Sequence, residues 1–118
     1  MLSEELKQLA VDALEDLKGK EIKCLDVTEM TDIADYMVIA SGTSNRHVKS
    51  LVENVVVRCK EKGVPPIGIE GEDVAGWVLI DLVDVLVHVM LPKVRDFYDL
   101  ERLWGEFDVE NFHPDKRT

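Results

Sequence analysis

Four aspartates fall at or near the ends of predicted strands, where carboxylates often hold metal ions: Asp26, Asp35, Asp81 and Asp84. Enzymes that transfer nucleotidyl groups place paired acids soon after a Gly-Ser turn and use them to bind magnesium. Here the first acid after the turn Ser41–Gly42 is Glu53, in the middle of a predicted helix. The three histidines lack ligand spacing to one another or to a cysteine. The pattern therefore predicts no catalytic centre, no metal site and no cofactor.

The segment from residue 36 to residue 48 predicts a strand, a glycine-containing turn and a helix. Free backbone N–H groups at such a helix N-terminus can bind an anion, and the candidate residues here are Thr43, Ser44, Arg46 and His47. The segment matches neither G-x-x-x-x-G-K-[ST] nor G-x-G-x-x-G. Residues of these types also cap helices without binding any ligand. Capping is the simpler interpretation, and a nucleotide-binding or nucleotidyl-transferring enzyme using Gly42–His47 is the alternative function.

Residues 76–91, GWVLIDLVDVLVHVML, predict two strands joined by a turn at Leu82–Val83. Because strand side chains alternate, one face is wholly aliphatic and carries Val78, Ile80, Val85, Val87, Val89 and Leu91. The other face carries Trp77, Leu79, Asp81, Asp84, Leu86, His88 and Met90. The aliphatic face is typical of a core. The mixed face favours docking of another macromolecule, although a helix of the same chain could also cover it.

The same turn places Asp81 opposite Asp84 on the mixed face. Like charges directly opposite each other destabilise a hairpin, so the pair needs an explanation. Turn capping and solvent exposure are two explanations, and a lysine or arginine of a partner between the carboxylates is a third. The neighbouring Trp77 favours the partner, because tryptophan is enriched among residues that dominate binding energy.

The remaining periodicity predicts helices over residues 3–18, 44–62 and 94–104, and strands over 21–27, 36–40 and 67–69. Together with the hairpin, these elements predict an α/β fold with a single mixed β-sheet and packed helices. We expect one domain over residues 1–105 and a flexible C-terminal tail over residues 106–118.

The chain has 118 residues and a net charge of −10. This charge argues against affinity that comes from neutralising nucleic-acid phosphates, and it favours a basic partner. No apolar run reaches the roughly 18 residues of a membrane helix, and the N-terminus is acidic where a signal peptide is basic. We therefore expect a cytoplasmic protein with no membrane contact and little or no direct nucleic-acid binding.

Several long motifs occur in order: YMVIASGTSNRHV, then Gly63, then IEGEDVAGWVLIDLVDVLVHVM, then VRDFYDLERLW. Over residues 3 to 105 the chain resembles the ribosomal silencing factor family, also called Iojap-like. The resemblance implies a fold related to nucleotidyltransferases but no enzymatic activity. It implies binding to the large ribosomal subunit through its protein numbered fourteen. The bound factor would block joining of the small subunit and repress translation when nutrients are scarce.

The resemblance also implies that the binding surface lies around the tryptophan-bearing hairpin. Carried onto this chain, it centres on Trp77, Leu79, Asp81, Asp84 and His88, with Lys93, Arg95 and Tyr98 at its margin. The alternation of side chains adds Leu86 and Met90. The family usually has glycine where this chain has Val83, so the turn is either of another type or strained, since β-branched residues resist positive φ. The same apolar face could also pair two copies of the free chain.

Overall fold

The computed structural model describes residues 1–71 and 76–98, apart from the side chain of Tyr98. In chain order the elements are α1 (Ser3–Asp16), β1 (Lys20–Asp26), β2 (Tyr36–Ser41), α2 (Asn45–Glu61), β3 (Gly68–Glu70), β4 (Trp77–Asp81), β5 (Val85–Met90) and α3 (Pro92–Tyr98). Helix α3 begins two residues before the predicted position, at a proline that suits a first helical turn. The predicted end of that helix, the domain boundary and the tail lie outside the described residues.

The five strands form one sheet in the order β1-β2-β5-β4-β3. Strands β2 and β5 are parallel, and the other neighbouring pairs are antiparallel. The prediction of an α/β fold with one mixed sheet is therefore confirmed. The apolar run of β2 lies between β1 and β5, as expected for a strand that is covered on both faces.

Helices α1 and α2 pack on one face of the sheet and enclose the main core. The sheet contributes the buried side chains Val38, Ala40, Val78, Ile80, Val85, Val87 and Val89. The helices contribute Leu6, Leu9, Ala10, Ala13, Leu14, Val48, Leu51, Val52, Val55 and Cys59. The aliphatic face predicted for the hairpin is thus a core face, because its residues lie under the two helices.

The opposite face of the sheet has a second, smaller core made of Val27, Met37, Ile39 and Met90. Leu25, Trp77 and the α3 residue Val94 are partly buried against it. Helix α3 therefore covers part of this face. At the Met90 end of the hairpin, the mixed face is covered by a helix of the same chain, which was the alternative to a docking partner.

The turn between β4 and β5 lies one residue later than predicted. The backbone N–H of Leu82 donates to the carbonyl oxygen of Val85 at 3.0 Å, so the two turn residues are Val83 and Asp84. Asp81 consequently lies opposite Leu86, and the prediction that it faces Asp84 is wrong. Each residue of β4 therefore pairs with a β5 residue two positions later than predicted. Because side chains alternate with a period of two, this shift leaves the strand residues on their predicted faces.

Candidate functional site

Six side chains of the hairpin project from the sheet face opposite α1 and α2, and we call them the docking face. Cross-strand pairing fixes their arrangement: Trp77 lies opposite Met90, Leu79 opposite His88, and Asp81 opposite Leu86. The turn residue Asp84 lies beyond the last of these pairs. The structure therefore brings six of the seven predicted hairpin residues together and places the seventh at their end.

The docking face has an open layer and a buried base. Trp77, Leu79, Asp81 and Leu86 are half-buried. His88 is 8% exposed, and Met90 is fully buried in the second core. The expectation that Met90 contacts a partner directly is therefore wrong, because Met90 is buried in the packing beneath the open layer.

A pocket of about 280 Å³ lies in the docking face and is lined by Glu70, Gly71, Trp77, Leu79 and His88. Glu70 is exposed and pairs with Leu79 across β3 and β4, which places a carboxylate beside an apolar wall. Gly71 has φ +88°, and a Cβ atom there would collide with the carbonyl oxygen of Trp77. A glycine is thus needed where the chain passes the backbone of Trp77. Glu70, the last residue of β3, and Gly71, which follows it, were not predicted from the sequence as pocket residues.

The indole of Trp77 is held by the imidazole of His88. Trp77 Nε1–H donates to His88 Nδ1 at 3.0 Å, and the ring centroids are 5.9 Å apart with an interplanar angle of 47°. Burial lowers the pKa of His88 to about 4 because the charged form loses its hydration. The imidazole is therefore neutral near pH 7, with its proton on Nε2, and it fixes the orientation of the tryptophan.

Asp81 is used within the chain. Its Oδ1 accepts the backbone N–H of Val83 at 2.9 Å, which is the turn-capping explanation considered above. Asp84 is exposed, and its carbonyl oxygen accepts the N–H groups of Asp35 and Tyr36 at 2.8 and 3.2 Å. These bonds tie the turn to the loop before β2. Two carboxylates thus remain at the end of the docking face without opposing each other.

The margin residues of α3 differ from one another. Lys93 is exposed, whereas Arg95 is buried. The guanidinium of Arg95 donates to Ser41 Oγ at 2.9 Å and to the carbonyl oxygen of Glu21 at 2.6 Å. The expectation that Arg95 lies open to a partner is therefore wrong, because this side chain fastens α3 to β1 and β2. The side chain of Tyr98 lies outside the described residues.

The candidate anion site at Thr43, Ser44, Arg46 and His47 is organised as a helix cap. Ser44 Oγ accepts the backbone N–H of His47 at 3.1 Å. His47 Nδ1 accepts the N–H of Thr43 at 2.9 Å, and His47 Nε2 lies 2.8 Å from the carbonyl oxygen of Leu17 at the end of α1. His47 Nδ1 is thus engaged by the turn before α2, and His47 Nε2 contacts the end of α1. This arrangement favours capping over anion binding.

Glycine has a packing role in this turn. A Cβ atom at Gly42 would lie 2.8 Å from the backbone nitrogen of Val48, closer than side chains and backbone approach.

Within residues 1–71 and 76–98 the structure contains no cluster of three or more histidines, cysteines or acids that could hold a metal ion. In the same part of the chain, no helix has the length and apolar character to cross a membrane.

The fold and its open face define a small α/β domain that presents a tryptophan, two leucines and carboxylates beside a pocket. A model of the family described as "ribosomal silencing factor during starvation" matches residues 2–118. The chain is 52% identical over 102 residues to the ribosomal silencing factor RsfS of Chromobacterium violaceum, covering 86% of this chain and 84% of that protein. It is 35% identical over 106 residues to RsfS of Bacillus subtilis, covering 90% of each. The chain therefore belongs to the ribosomal silencing factor family.

Structural and more distant similarities agree with this assignment. A crystal structure of a Chromobacterium violaceum protein superimposes with a TM-score of 0.87 at 51% identity, covering 89% of this chain and 88% of that one. A Bacillus halodurans structure gives 0.78 at 37% identity, covering 86% and 94%. A mouse protein named mitochondrial assembly of ribosomal large subunit protein 1 is 34% identical over 99 residues, and the chain covers 43% of its length.

Proposed function

We propose that this chain is a cytoplasmic, non-enzymatic repressor that binds the large ribosomal subunit through its protein numbered fourteen. The bound chain would occupy space that the small subunit needs, and translation would fall when nutrients are limiting. The docking face is the proposed contact. The family membership supports a ribosomal role, and the geometry of the face supports the place of contact.

One observation carries the proposal: a half-buried tryptophan, fixed by an internal hydrogen bond, lies beside a pocket on the open face of the sheet. Because His88 accepts the indole N–H, a partner that covers Trp77 need not supply an acceptor to that group. A rigid aromatic side chain loses little conformational freedom on binding, which is why such residues anchor interfaces.

The distribution of charge supports a basic partner. Residues 24–45 and 63–92 together contain nine acids and neither lysine nor arginine. The rest of the chain is nearly neutral, with 15 acids and 14 bases. Almost all of the net charge therefore lies in these two segments, at positions outside β2 and β5, which carry no acid themselves. Complementary charge would speed encounter with a basic ribosomal protein and discriminate against exposed ribosomal RNA.

Sedimentation of the chain with isolated large subunits, isolated small subunits and intact ribosomes tests the proposal. We expect cosedimentation with large subunits alone. Trp77→Ala and Leu79→Ala should each weaken this binding by about tenfold or more, because each removes a side chain from the open layer. Val57→Ala, on the exposed side of α2, is the matched control and should bind as the wild type does. Retention of both docking-face variants at wild-type levels would remove the proposed site.

A further inference from the structure

Three large aliphatic side chains are exposed at the end of the sheet where β4 turns into β5. Ile33 is 76% exposed, Ile67 is 69% exposed and Val83 is 51% exposed. Backbone hydrogen bonds bring their segments to one turn: the N–H of Asp35 donates to Asp84 at 2.8 Å, and the N–H of Ile67 donates to Asp81 at 2.9 Å. Three segments that are distant in the sequence thus present apolar side chains around a single turn.

Carboxylates accompany these aliphatic side chains. Asp32 and Asp84 are exposed, and Asp35 is partly exposed. We call the set the turn edge: Ile33, Ile67, Val83, Asp32, Asp35 and Asp84. The two sequence segments that form it, residues 24–45 and 63–92, lack lysine and arginine altogether. An exposed apolar group flanked by carboxylates suits a partner of the opposite sign that also carries apolar side chains.

The turn edge continues the docking face without interruption. The last cross-strand pair of that face, Asp81 and Leu86, is followed directly by the turn residues. The turn residue Val83 lies four positions beyond Leu79, roughly 13 Å at about 3.3 Å per residue. A partner that covers Trp77 and Leu79 therefore meets the turn edge if its surface extends that far along the strand.

We propose that the turn edge binds a polypeptide segment in which aliphatic side chains alternate with lysines or arginines, belonging to the protein that covers the docking face. This inference rests on the proposed function and adds a second contact to it. The aliphatic parts would cover Ile33, Ile67 and Val83, while the cationic ends reach the three aspartates. Lysine and arginine suit both tasks, because their stems are apolar and their ends are charged.

A nucleic-acid partner fits this edge poorly. Phosphates would approach three aspartates with no cation from either segment to neutralise them. The exposed side chains are aliphatic, whereas single-stranded bases stack on aromatic ones. The edge therefore favours protein over RNA as the component that it touches.

The test is binding of the full chain to isolated large subunits, measured with the double variant Ile33→Ser, Ile67→Ser. We expect a dissociation constant about tenfold higher than that of the wild type, since two apolar contacts are lost while Trp77 is intact. Val57→Ser is the control because Val57 is also a large aliphatic side chain with at least half of its surface exposed, but it lies on α2. It should bind as the wild type does. Circular dichroism and the unfolding midpoint should be unchanged in both variants, because all three positions are exposed.

A second arm tests the charges. Asp32→Asn combined with Asp84→Asn should lower the dependence of binding on salt, whereas Glu53→Gln on the exposed side of α2 should not. If Trp77→Ala weakens binding but the isoleucine double variant and the aspartate double variant match the wild type, the turn edge is overturned and the proposed function stands. If the wild type fails to bind large subunits, both are overturned. Tight binding to protein-free ribosomal RNA that the isoleucine variant weakens would overturn the choice of a polypeptide partner.

Discussion

Strand β5 serves two different surfaces with alternate residues. On the side of α1 and α2 it carries Val85, Val87 and Val89, all fully buried. On the other side it carries Leu86, His88 and Met90, which range from half-buried to fully buried. The first surface is sealed by two helices, whereas the second is sealed by α3 at one end and is open at the other.

The comparison shows how a sheet can keep an open face and remain stable. The helix side uses aliphatic residues, which need no hydrogen-bond partners when they are buried. The open side contains polar groups, and the structure satisfies them within the chain: Trp77 bonds His88, and Arg95 bonds Ser41. A binding face must hold its shape before the partner arrives, and unsatisfied buried polar groups would make that costly.

The sharpest test of this difference uses two neighbouring residues of β4. Ile80 is fully buried on the helix side, and Leu79 is half-buried on the docking face. Ile80→Ala should lower the free energy of unfolding by about 3 kcal/mol, since it removes methyl groups and leaves a cavity. Leu79→Ala should lower it by about 1 kcal/mol, because solvent already reaches that side chain. Urea denaturation measures both.

Binding to large subunits should rank the two variants in the opposite order. Leu79→Ala should bind worse than Ile80→Ala when both are measured where they are fully folded. If Ile80→Ala loses more binding than Leu79→Ala under those conditions, the docking face is not the surface that binds the large subunit.

The buried base of the docking face should also be visible as a pH dependence. The pKa of His88 falls from the ordinary 6.5 to about 4 in the folded chain. Below pH 6.5 the unfolded state therefore binds a proton that the folded state does not. The contribution of neutral His88 to the free energy of unfolding is therefore fully present above pH 6.5. It decreases as the pH falls from 6.5 towards 4, by about 3 kcal/mol over this range.

Other groups titrate in the same range, so the comparison is made with His88→Asn. Asparagine keeps an acceptor near the position of Nδ1 for the indole N–H but does not titrate. Urea denaturation at several pH values should show a shallower loss of stability between pH 6.5 and 4 in this variant than in the wild type. Parallel curves for the two proteins would mean that the burial of His88 is not coupled to its protonation.

Much of the fold follows from local pattern. The aliphatic alternation in β4 and β5 predicts which residues face the helices, and that prediction is confirmed because it depends only on the two-residue period of a strand. The start of α2 directly after Ser44 follows from the preference of serine for the cap position. These features are local, so the sequence carries them without reference to the rest of the molecule.

The features that sequence analysis missed depend on long-range contacts. Burial of Met90 and Arg95 depends on where α3 packs. The hydrogen-bond acceptors of Arg95 are Ser41, which is 54 positions away, and Glu21, which is 74 positions away. The pocket needs β3 to lie beside β4, which the short run around residues 67–69 does not specify. The predicted turn already included Val83, and the structure places its second residue at Asp84 instead of its first at Leu82. The φ of +74° at Val83 agrees with the alternative of a strained turn.

The smallest effect concerns that turn, where the two surfaces meet. Val83 has φ +74°, a conformation that costs a β-branched residue about 1–2 kcal/mol. Glycine adopts it freely but adds about 0.4–1 kcal/mol of entropy to the unfolded chain. Val83→Gly should therefore raise the free energy of unfolding by about 0.5–1 kcal/mol. Urea denaturation of wild type and variant measures this difference directly.

The same substitution removes an exposed aliphatic side chain from the turn edge, so it should weaken binding to large subunits while it stabilises the fold. Val83→Ala separates the two effects, because alanine loses most of the apolar contact but keeps the strain of positive φ. It should weaken binding without the gain in stability. A Val83→Gly protein that is both more stable and equally well bound would show that the turn is strained for reasons unrelated to recognition.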